Sequence, residues 1–558
     1  MPCQSVSIFI KAVVPLKSSH GFSCPFIVKP IIVPSLSIQT SFFPKTSQLS
    51  LNEKIKKPHY SVPNKVVSCK AANYGNQNPT PSSRKTTKIV DFKLPSFSKL
   101  RYRRPAHLVD ADYVAEFTKA VNLMKDLPPD DPRSFMQQAN VYRAYCNGAY
   151  DQVGFPDQDL QIHFSSLFFP FHRLYLYFYE RILGKLIGDP DFAMPFWNWD
   201  APAGMSIPAI YVNPQSLLYD DKRNVSHQPP KLVDLDYNGT DKEITDKELV
   251  LSNLKVMYRQ MVSGAKTASL FHGKVYRAGD KPIPGAGSIE AGCYTAIRMW
   301  VEDQKQEYEE DMGNFYSSGR DVMFYGLHAN VDRMWSVWEK TLGQNNFNDA
   351  ERLNATFYFY DENANLVRAK VRDCLDNKTL GYDYEPVEMP WRLTKPVTRK
   401  LGKKGGRGHG HAMAAEIKNK NIIRNAFPIV LDKTLSIEIP RPRKSRSKRE
   451  KEEEEEVLVL ESIQLERDAS VKFDVYINDE DDEAPSGPED AEFAGSFTNI
   501  PHNHKHAKKL ETSFSLAISD LLEDLDVEGD DNIVVTLVPR RGKGLVTVGN
   551  IKINYIRE

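Results

Sequence analysis

Apolar residues recur with helical spacing in three stretches of the chain, 111–127, 171–187 and 322–342. In each stretch they return every three or four positions, the spacing that places side chains on one face of a helix. The pattern predicts amphipathic helices and a mainly α-helical domain that begins near residue 90.

Two of these helices carry histidines. Pro170 stands just before the second stretch and suits the first turn of a helix, so His163 is predicted to precede this helix. His172 is then predicted to lie in its first turn. In the third stretch Asp332 follows His328 by four positions and shares its helix face. The spacing therefore predicts that His328 and Asp332 share one helix face.

The last part of the chain has a different pattern. Runs of β-branched and aromatic residues predict a sheet domain with strands at 428–435, 457–465, 471–477 and 532–538. A basic block at 441–451 and an acidic block at 452–456 predict a solvated hairpin or loop.

Between the two parts, the Gly- and Lys-rich stretch 400–420 predicts a flexible linker. His409 and His411 lie in this stretch, and we interpret them as solvated linker residues and not as metal ligands.

Composition limits the function classes. The chain has 558 residues, of which 41% are hydrophobic and 26% charged, values that are ordinary for globular domains. This length suffices for two or three domains. The formal net charge of zero gives no reason to expect a nucleic-acid partner. No apolar run reaches the roughly 18 residues of a membrane-spanning helix, so no membrane span is predicted.

The composition of the N-terminal segment is typical of a targeting sequence. No Asp or Glu occurs before Glu53, while Lys11, Lys17 and Lys29 lie among many serines. Acid-poor, Ser-rich segments are typical of organellar transit peptides, and the absence of arginine favours a plastid over a mitochondrion. We therefore predict a plastid transit peptide over 1–70 and a linker over 71–88. A disordered tail is the alternative.

Two groups of motifs point to a known family. The first is the segment 141–146, then His163, then Phe-Pro-Phe-His-Arg at 169–173. The second is Gly-Ser-Ile-Glu at 287–290, Met-Gly-Asn-Phe-Tyr at 312–316 and the segment 328–335. These motifs resemble the two copper sites of plant polyphenol oxidases, the catechol oxidase and tyrosinase family, and Val-Lys-Phe-Asp-Val at 471–475 resembles the signature of the family's C-terminal domain.

The resemblance implies a fold and its domain bounds. The expected architecture is a mainly α four-helix-bundle core, the tyrosinase-like di-copper domain, over 89–370, followed by a C-terminal β-sandwich over 422–558. A segment that closes the core is expected over 371–399 and a flexible linker over 400–421. In latent members of the family the sandwich covers the mouth of the active site.

The family binds two copper ions, each through three histidines, and this chain departs from that pattern. It keeps His163, His172 and His328 at ligand positions. The other three positions hold Tyr142, Tyr294 and Arg298. Because arginine is a permanent cation without a lone pair, we predict at most one weakly bound copper and the loss of oxidase activity.

Other site residues follow from the same resemblance. Glu290 matches the acid that orders water near the second copper, and Phe315 matches the aromatic residue that overhangs this copper. Asp332 is expected to orient its helix partner or nearby backbone. Cys146 corresponds to the cysteine that forms a thioether with the histidine at position 163, and a buried free thiol is the alternative.

The resemblance also bears on the compartment. The segment Val67–Ala71 resembles the end of the family's stromal transit segment, and no twin-arginine thylakoid signal follows it. The family's N-terminal disulfides lack their cysteines here, which fits a reducing compartment. The predicted location is the chloroplast stroma.

We therefore predict a repurposed, redox-neutral enzyme that acts on an aromatic or phenol-derived metabolite by acid/base catalysis. Tyr142, Tyr294, Arg298, Glu290 and His328 are its candidate catalytic residues, with Arg298 lowering the pKa of a neighbouring phenol. One alternative is an inactive scaffold or regulatory homologue in which Arg298 pairs with Glu290. The other is a residual catechol oxidase. No oligomeric partner is predicted.

Overall fold

The computed structural model of the chain describes residues 88–397, 427–479, 487–502 and 508–557. The predicted transit peptide, nearly all of the 71–88 linker and the 400–421 linker with His409 and His411 lie outside these residues. Among the described residues, no helix has the length and apolar character needed to cross a membrane.

The helical domain contains the three helices that the periodicity predicts, here α1, α3 and α7. The α-helices within the described residues are α1 Ala111–Lys125, α2 Phe135–Cys146, α3 Phe168–Ile187, α4 Asp246–Tyr258, α5 Ala268–His272, α6 Thr295–Val301, α7 Met323–Lys340, α8 Ala350–Asn354, α9 Lys448–Glu453 and α10 Ser519–Asp524.

Helix α3 begins at Phe168, earlier than the predicted residue 171. Pro170 is therefore its third residue, and His172 is its fifth, at the start of the second turn and not in the first. Because the first four N–H groups of a helix have no partner within it, a proline at the third position breaks no hydrogen bond.

The strands are β1 Ile89–Asp91, β2 Arg101–Arg103, β3 Asp151–Gln152, β4 Phe155–Asp159, β5 Thr356–Tyr360, β6 Leu366–Lys370, β7 Tyr382–Tyr384, β8 Ile429–Val430, β9 Leu435–Pro440, β10 Glu455–Glu466, β11 Val471–Ile477, β12 Phe493–Asn499, β13 Lys509–Ala517, β14 Asn532–Arg541, β15 Thr547–Val548 and β16 Asn550–Ile556. In the helical domain β1, β6 and β5 form a small sheet, and β2 pairs with β7.

The C-terminal domain is built from two sheets within the described residues. One has the order β13-β10-β15-β8 with β16 also paired to β10, and the other has the order β12-β11-β14-β9. All their pairings are antiparallel, and one apolar cluster is shared by their strands. The predicted architecture, a helical core domain followed by a C-terminal sheet domain, is confirmed.

Two predictions in this domain need correction. The strand predicted over 428–435 is two strands, β8 and β9, which belong to different sheets because the polar pair Asp432 and Lys433 turns the chain between them. The charge blocks form a solvated loop only in part: residues 442–445 are exposed and lie outside helices and strands. The later residues form α9 and the start of β10, where Glu456 is buried and accepts hydrogen bonds from Arg441 at 2.9 and 3.0 Å.

Buried polar contacts hold the sheet domain against the helical domain. Nζ of Lys472 in β11 donates to the backbone oxygen of Asp236 at 2.8 Å and to its carboxylate at 2.7 Å. Ser513 in β13 donates to the carbonyl oxygen of Pro284 at 2.6 Å. These contacts anchor β11 and β13 to the helical domain.

Candidate active site

A cluster of buried polar side chains lies between α2, α3, α6 and α7. We call it the candidate site. It brings together the residues that the sequence singles out for catalysis or metal binding, each at most 2% exposed: Tyr142, His163, His172, Glu290, Tyr294, Arg298 and His328.

A π-helical turn positions two of these residues. Glu290 and Tyr294 are its first and last residues, and it leads directly into α6. Gln260 packs against the turn and accepts a hydrogen bond from the backbone N–H of Cys293 at 3.0 Å. Gly292 makes room for this contact, because a Cβ there would lie 2.1 Å from Nε2 of Gln260. Turns of this kind occur often at functional sites.

Hydrogen bonds fix the tautomer of His328. Its Nδ1 lies 2.7 Å from the carbonyl oxygen of Phe324. A carbonyl oxygen can only accept, so Nδ1 carries the proton and Nε2 is an acceptor. The hydroxyl of Tyr294, 3.0 Å from Nε2, therefore donates to His328. The lone pairs of the Tyr294 oxygen are then free to accept.

Arg298 uses that acceptor. Its Nη1 donates to the hydroxyl oxygen of Tyr294 at 3.0 Å, its Nε donates to the carbonyl oxygen of Met312 at 2.9 Å, and its Nη2 donates to Ser318. All three partners are neutral oxygens. No carboxylate of the described residues forms an ion pair with Arg298, so the pairing with Glu290 expected for an inactive scaffold is not made.

His172 provides an acceptor without a partner. Its Nδ1 donates to the carbonyl oxygen of Phe168 at 2.7 Å, which leaves Nε2 without a proton. This Nε2 is buried and has no hydrogen-bond partner. The ring lies 4.5 Å from the ring of His328 and 5.5 Å from that of His163. The acceptor thus lies within the cluster.

His163 links Glu290 to Tyr142. Its Nδ1 lies 3.0 Å from Oε1 of Glu290, and its Nε2 lies 3.3 Å from the hydroxyl of Tyr142. Oε1 of Glu290 also accepts the backbone N–H of Phe164 at 2.8 Å. Oε2 of Glu290 is buried and has no partner. The ring of His163 and the N–H of Phe164 thus both contact Oε1 and leave Oε2 without a partner.

Burial dominates the protonation of the site. It raises the pKa of Tyr294 to about 12, because its effect outweighs the lowering by the cation of Arg298. Burial likewise raises the pKa of Tyr142. It lowers the pKa of His172 to about 3. Arg298 therefore acts in the expected direction on the Tyr294 phenol without making it more acidic than a free tyrosine, and both phenols keep their protons at neutral pH.

Phe315 covers the cation. The guanidinium carbon of Arg298 lies 4.6 Å from the centre of the Phe315 ring, and the ring of His163 lies 4.1 Å from it. The backbone N–H of Phe315 donates to the carbonyl oxygen of Pro501, and the ring of His502 lies 5.4 Å away. The C-terminal domain therefore reaches the residue that overhangs the site.

Asp332 is placed outside the cluster. Its Oδ2 accepts the hydroxyl of Tyr382 at 2.6 Å and lies 3.2 Å from Nη1 of Arg103. Its Oδ1 lies 2.5 Å from Nε of Arg173. Asp332 thus sits one helical turn beyond His328 in a buried ion-pair network. In that position it supports the helices and does not face the cluster.

The cysteines of the described residues, Cys146, Cys293 and Cys374, are buried free thiols. Burial raises the pKa of Cys146, which keeps it a neutral thiol. The thioether between Cys146 and His163 stays a prediction.

Within the described residues, no group of three or more His, Cys, Asp or Glu side chains is arranged to hold a metal ion.

Two hydrogen-bond partners of Arg298 were not predicted from the sequence. Ser318 and Met312, which orient Arg298, were not singled out, because a hydroxyl and a backbone oxygen carry no motif. The carbonyl partners of His172 and His328 lie four residues before them, a signal that helix geometry alone could have supplied.

Comparisons with known proteins agree with this architecture. The common central domain of tyrosinase matches residues 132–341, the polyphenol oxidase middle domain matches 346–397, and the chloroplastic polyphenol oxidase C-terminal domain matches 427–555. A chloroplastic polyphenol oxidase of Malus domestica is 55% identical over 480 residues, which cover 84% of this chain and 80% of that protein.

Two further relatives are similar. Aureusidin synthase of Antirrhinum majus is 52% identical over 478 residues, covering 84% of this chain and 83% of that protein. The solved structure of latent apple tyrosinase superimposes with a TM-score of 0.78 at 55% identity, covering 84% of this chain and all (100%) of that chain. The chain therefore belongs to the plant polyphenol oxidases of the tyrosinase family.

Proposed function

We propose that this protein is a redox-neutral enzyme that converts an aromatic or phenol-derived metabolite by acid/base catalysis, without a working pair of coppers. Cyclisation, isomerisation and addition–elimination are the reaction types that fit, since they need proton transfer and no oxidant. The relatives include proteins named for general phenol oxidation and one named aureusidin synthase, so the family scaffold serves more than one product class.

The hydrogen-bonded chain from Arg298 through Tyr294 to His328 carries this proposal. In the family these positions hold the second copper. Here they offer one imidazole, a phenol whose pKa is about 12, and a guanidinium. A guanidinium has no lone pair and repels a metal cation. This donor set does not fit copper, and no catalytic step is assigned to the metal.

The remaining groups divide into donors and acceptors. Tyr294 donates its proton to His328. Tyr142 keeps its own proton, and its hydroxyl lies 3.3 Å from Nε2 of His163. Nε2 of His172 is an acceptor without a partner. A bound substrate that meets both kinds of group gains a proton at one atom and loses one at another, which is the requirement of an isomerisation or a cyclisation.

The geometry disfavours the scaffold alternative. In a pocket without function, an ion pair between the arginine and the nearest acid would be expected to stabilise the fold. Here Glu290 instead contacts His163 and the N–H of Phe164. Arg298 stays without a carboxylate. The residual-oxidase alternative is disfavoured by the donor set of the second copper position.

Product mass tests the proposal directly. The full-length protein is incubated with a panel of aromatic metabolites, with and without oxygen, and products are analysed by mass spectrometry. A redox-neutral isomerisation or cyclisation leaves the mass unchanged and proceeds without oxygen, whereas oxidation to a quinone removes two hydrogens and needs oxygen. We expect the first result.

Variants of the chain sharpen this test. Tyr294→Phe and Arg298→Met are expected to lower turnover by at least about 100-fold, the usual share of a positioned proton donor. Tyr308→Phe is the matched control, because Tyr308 is 61% exposed and lies outside the candidate site. Turnover that survives in both site variants, or oxygen-dependent products two hydrogens lighter, would refute the proposal.

We further propose that the protein works in the chloroplast stroma. The relative from Malus domestica is named chloroplastic, and the targeting segment lacks a twin-arginine signal. Import into isolated chloroplasts followed by fractionation tests this location. Recovery of the processed protein with the thylakoid lumen would contradict it.

A further inference from the structure

A surface pocket of the helical domain lies apart from the candidate site, and we call it the α3 pocket. Its walls come from residues 95–101, the second half of α3, the turn after α3, the loop between β5 and β6, and the residues before β7. Its volume of about 430 Å³ lies within the range of small-molecule sites, roughly 300–1,000 Å³. None of the residues of the candidate site lines it.

The charges around the α3 pocket balance. Five charged side chains line it: Lys99, Arg101, Arg181, Asp191 and Glu362. Lys99 pairs with Asp191 at 2.7 Å, and Arg101 pairs with Glu180, a buried residue outside the lining. The remaining two side chains have opposite signs. The pocket therefore carries no net charge that would select an anion or a cation, and it favours a neutral ligand.

Hydrogen-bonding groups of both kinds remain available in this lining. The guanidinium of Arg181 donates to the carbonyl oxygen of Pro190 at 2.8 Å, which leaves others of its five N–H groups as donors. The carboxylate of Glu362 has no hydrogen-bond partner among the described residues, so it remains an acceptor. A ligand that both donates and accepts can use the two groups together.

Tyr177 adds a hydroxyl to the lining. The residue is only 6% exposed, and no described residue hydrogen bonds to its hydroxyl. Burial raises the pKa of Tyr177 to about 12, although the cation of Arg181 acts in the opposite direction. The phenol therefore keeps its proton at neutral pH and can donate as well as accept. A largely buried hydroxyl without a partner favours a ligand that supplies a hydroxyl of its own.

Phe97 provides an apolar wall. A Cβ on Gly381 would lie 3.0 Å from Cδ1 of Phe97, so the ring packs directly against the backbone of this glycine. Phe97 is 46% exposed and lines the pocket. The face of an aromatic ring carries partial negative charge and attracts the weakly positive hydrogens of C–H groups. Phe97 therefore suits a ligand with a C–H face.

We infer that the α3 pocket binds a pyranose sugar ring, which packs on Phe97 and exchanges hydroxyl hydrogen bonds with Tyr177, Arg181 and Glu362. A pyranose is neutral, each of its hydroxyls both donates and accepts, and its ring carbons present C–H groups on either face. It thus meets the balanced charge, the mixed donors and acceptors, and the aromatic wall. The inference does not rest on the proposed function.

Saturation-transfer NMR of the full-length protein with methyl β-glucopyranoside as the probe tests the inference. We expect saturable binding in the millimolar range, since few hydrogen bonds and one aromatic contact hold the sugar. Saturation should be strongest at the C–H protons of one face of the sugar ring, because that face lies on Phe97. This readout needs no variant.

Variants assign the binding to the α3 pocket. Phe97→Ala and Tyr177→Phe should each weaken the affinity by about five- to tenfold. Leu94→Ala is the control for the first, because Leu94 is also an exposed apolar residue of this segment but does not line the pocket. Tyr179→Phe is the control for the second, because Tyr179 lies in α3, is buried with an unpartnered hydroxyl and is outside the lining. Both controls should keep the affinity of the wild-type protein.

Four outcomes would overturn the inference. They are no saturable binding of the glucoside at millimolar concentration, an affinity that Phe97→Ala and Tyr177→Phe both leave unchanged, displacement of the glucoside by inorganic phosphate, and loss of binding in Arg298→Met. Displacement by phosphate would mean an anion site at the cations of the lining. Loss of binding in Arg298→Met would place the sugar in the candidate site. Because no turnover is measured, the result is independent of the proposed enzymatic activity.

Discussion

Two buried clusters lie side by side along α3 and α7, and each contains an arginine with a different kind of partner. Arg173 follows His172 directly in α3, and its Nε lies 2.5 Å from the carboxylate of Asp332. Arg298, in the candidate site, donates its described hydrogen bonds to the oxygens of Met312, Tyr294 and Ser318, none of which is a carboxylate. In the first cluster a carboxylate neutralises the charge of the arginine. In the second cluster no carboxylate of the described residues does so.

The pKa of Asp332 shows this compensation. Burial alone would raise it, but the cations of Arg173 and Arg103 outweigh burial and hold it below its ordinary value. Arg298 has no such counterpart. Sites that carry uncompensated charge lose stability for it, and they are found where function requires the charge. The comparison therefore separates an ion-pair network that supports the fold from a buried cation without a carboxylate partner among the described residues.

The largest effect is expected in the compensated cluster. Asp332→Ala removes the acceptor shared by Arg103, Arg173, Tyr382 and Tyr384 and leaves buried charge unpaired. We expect the free energy of unfolding to fall by about 3–5 kcal/mol. Chemical denaturation measures this loss.

Asp91→Ala is the control for that variant. Asp91 pairs with Arg368 at the surface, with side-chain exposures of 68% and 43%. Its loss should cost no more than about 1 kcal/mol. Equal losses in the two variants would contradict the distinction between buried and exposed ion pairs.

A pH effect of opposite sign is expected beside the uncompensated cluster. Burial raises the pKa of Glu302 to about 9, and its Oε2 accepts the N–H of Gly313, next to Met312. The folded state then holds a proton that the unfolded state releases above the ordinary value of 4.5. Stability therefore falls as pH rises from that value through about 9, whereas the lowered pKa of Asp332 makes its contribution fall at acid pH.

Unfolding at several pH values measures the effect of Glu302. Between about pH 6 and pH 9 we expect a loss of about 3–4 kcal/mol that Glu302→Gln removes. If the variant and the wild-type protein show the same slope, Glu302 does not hold this proton.

A smaller effect is expected for Tyr294→Phe. The hydroxyl accepts from Arg298 and donates to His328, so its loss leaves one donor and one acceptor unpartnered. We expect a stability loss of about 1–2 kcal/mol. Tyr308→Phe should be neutral, and a neutral Tyr294→Phe would mean that the chain through this hydroxyl is not formed.

The smallest effect on stability is expected where the cation is uncompensated. Arg298→Met exchanges a buried charge for an apolar chain of similar length, so the free energy of unfolding should stay within about 1 kcal/mol of wild type or rise. Arg173→Met, measured alongside, should be clearly destabilising. A larger loss in Arg298→Met than in Arg173→Met would reverse the comparison.

Local patterns in the sequence predicted much of the fold. The periodicity gave α1, α3 and α7, and the strand signal gave β11 and most of β10 and β14. It did not give β12, β13 or β16, whose pairing partners are distant in the chain. The charge blocks at 441–456 were predicted only in part, because the buried pairing of Arg441 with Glu456 is a tertiary contact.

The sequence predicted which residues form the candidate site better than it predicted the hydrogen bonds between them. The four-residue spacing of Tyr294 and Arg298 places them on one face, and they do hydrogen bond at 3.0 Å. Glu290 contacts His163 and forms no ion pair with Arg298. This arrangement depends on the π-helical turn that begins at Glu290. Backbone geometry of this kind leaves no pattern in the sequence.

Copper content is the measurement that tests the central claim most directly. The purified protein is reconstituted with copper, dialysed and analysed by elemental mass spectrometry, beside a variant in which Tyr142→His, Tyr294→His and Arg298→His restore the family's ligands. The guanidinium at the second copper position predicts fewer than two coppers per chain in the wild-type protein and a gain of copper in the variant. Two coppers per wild-type chain, with the absorption band of a bridging peroxide, would contradict the account.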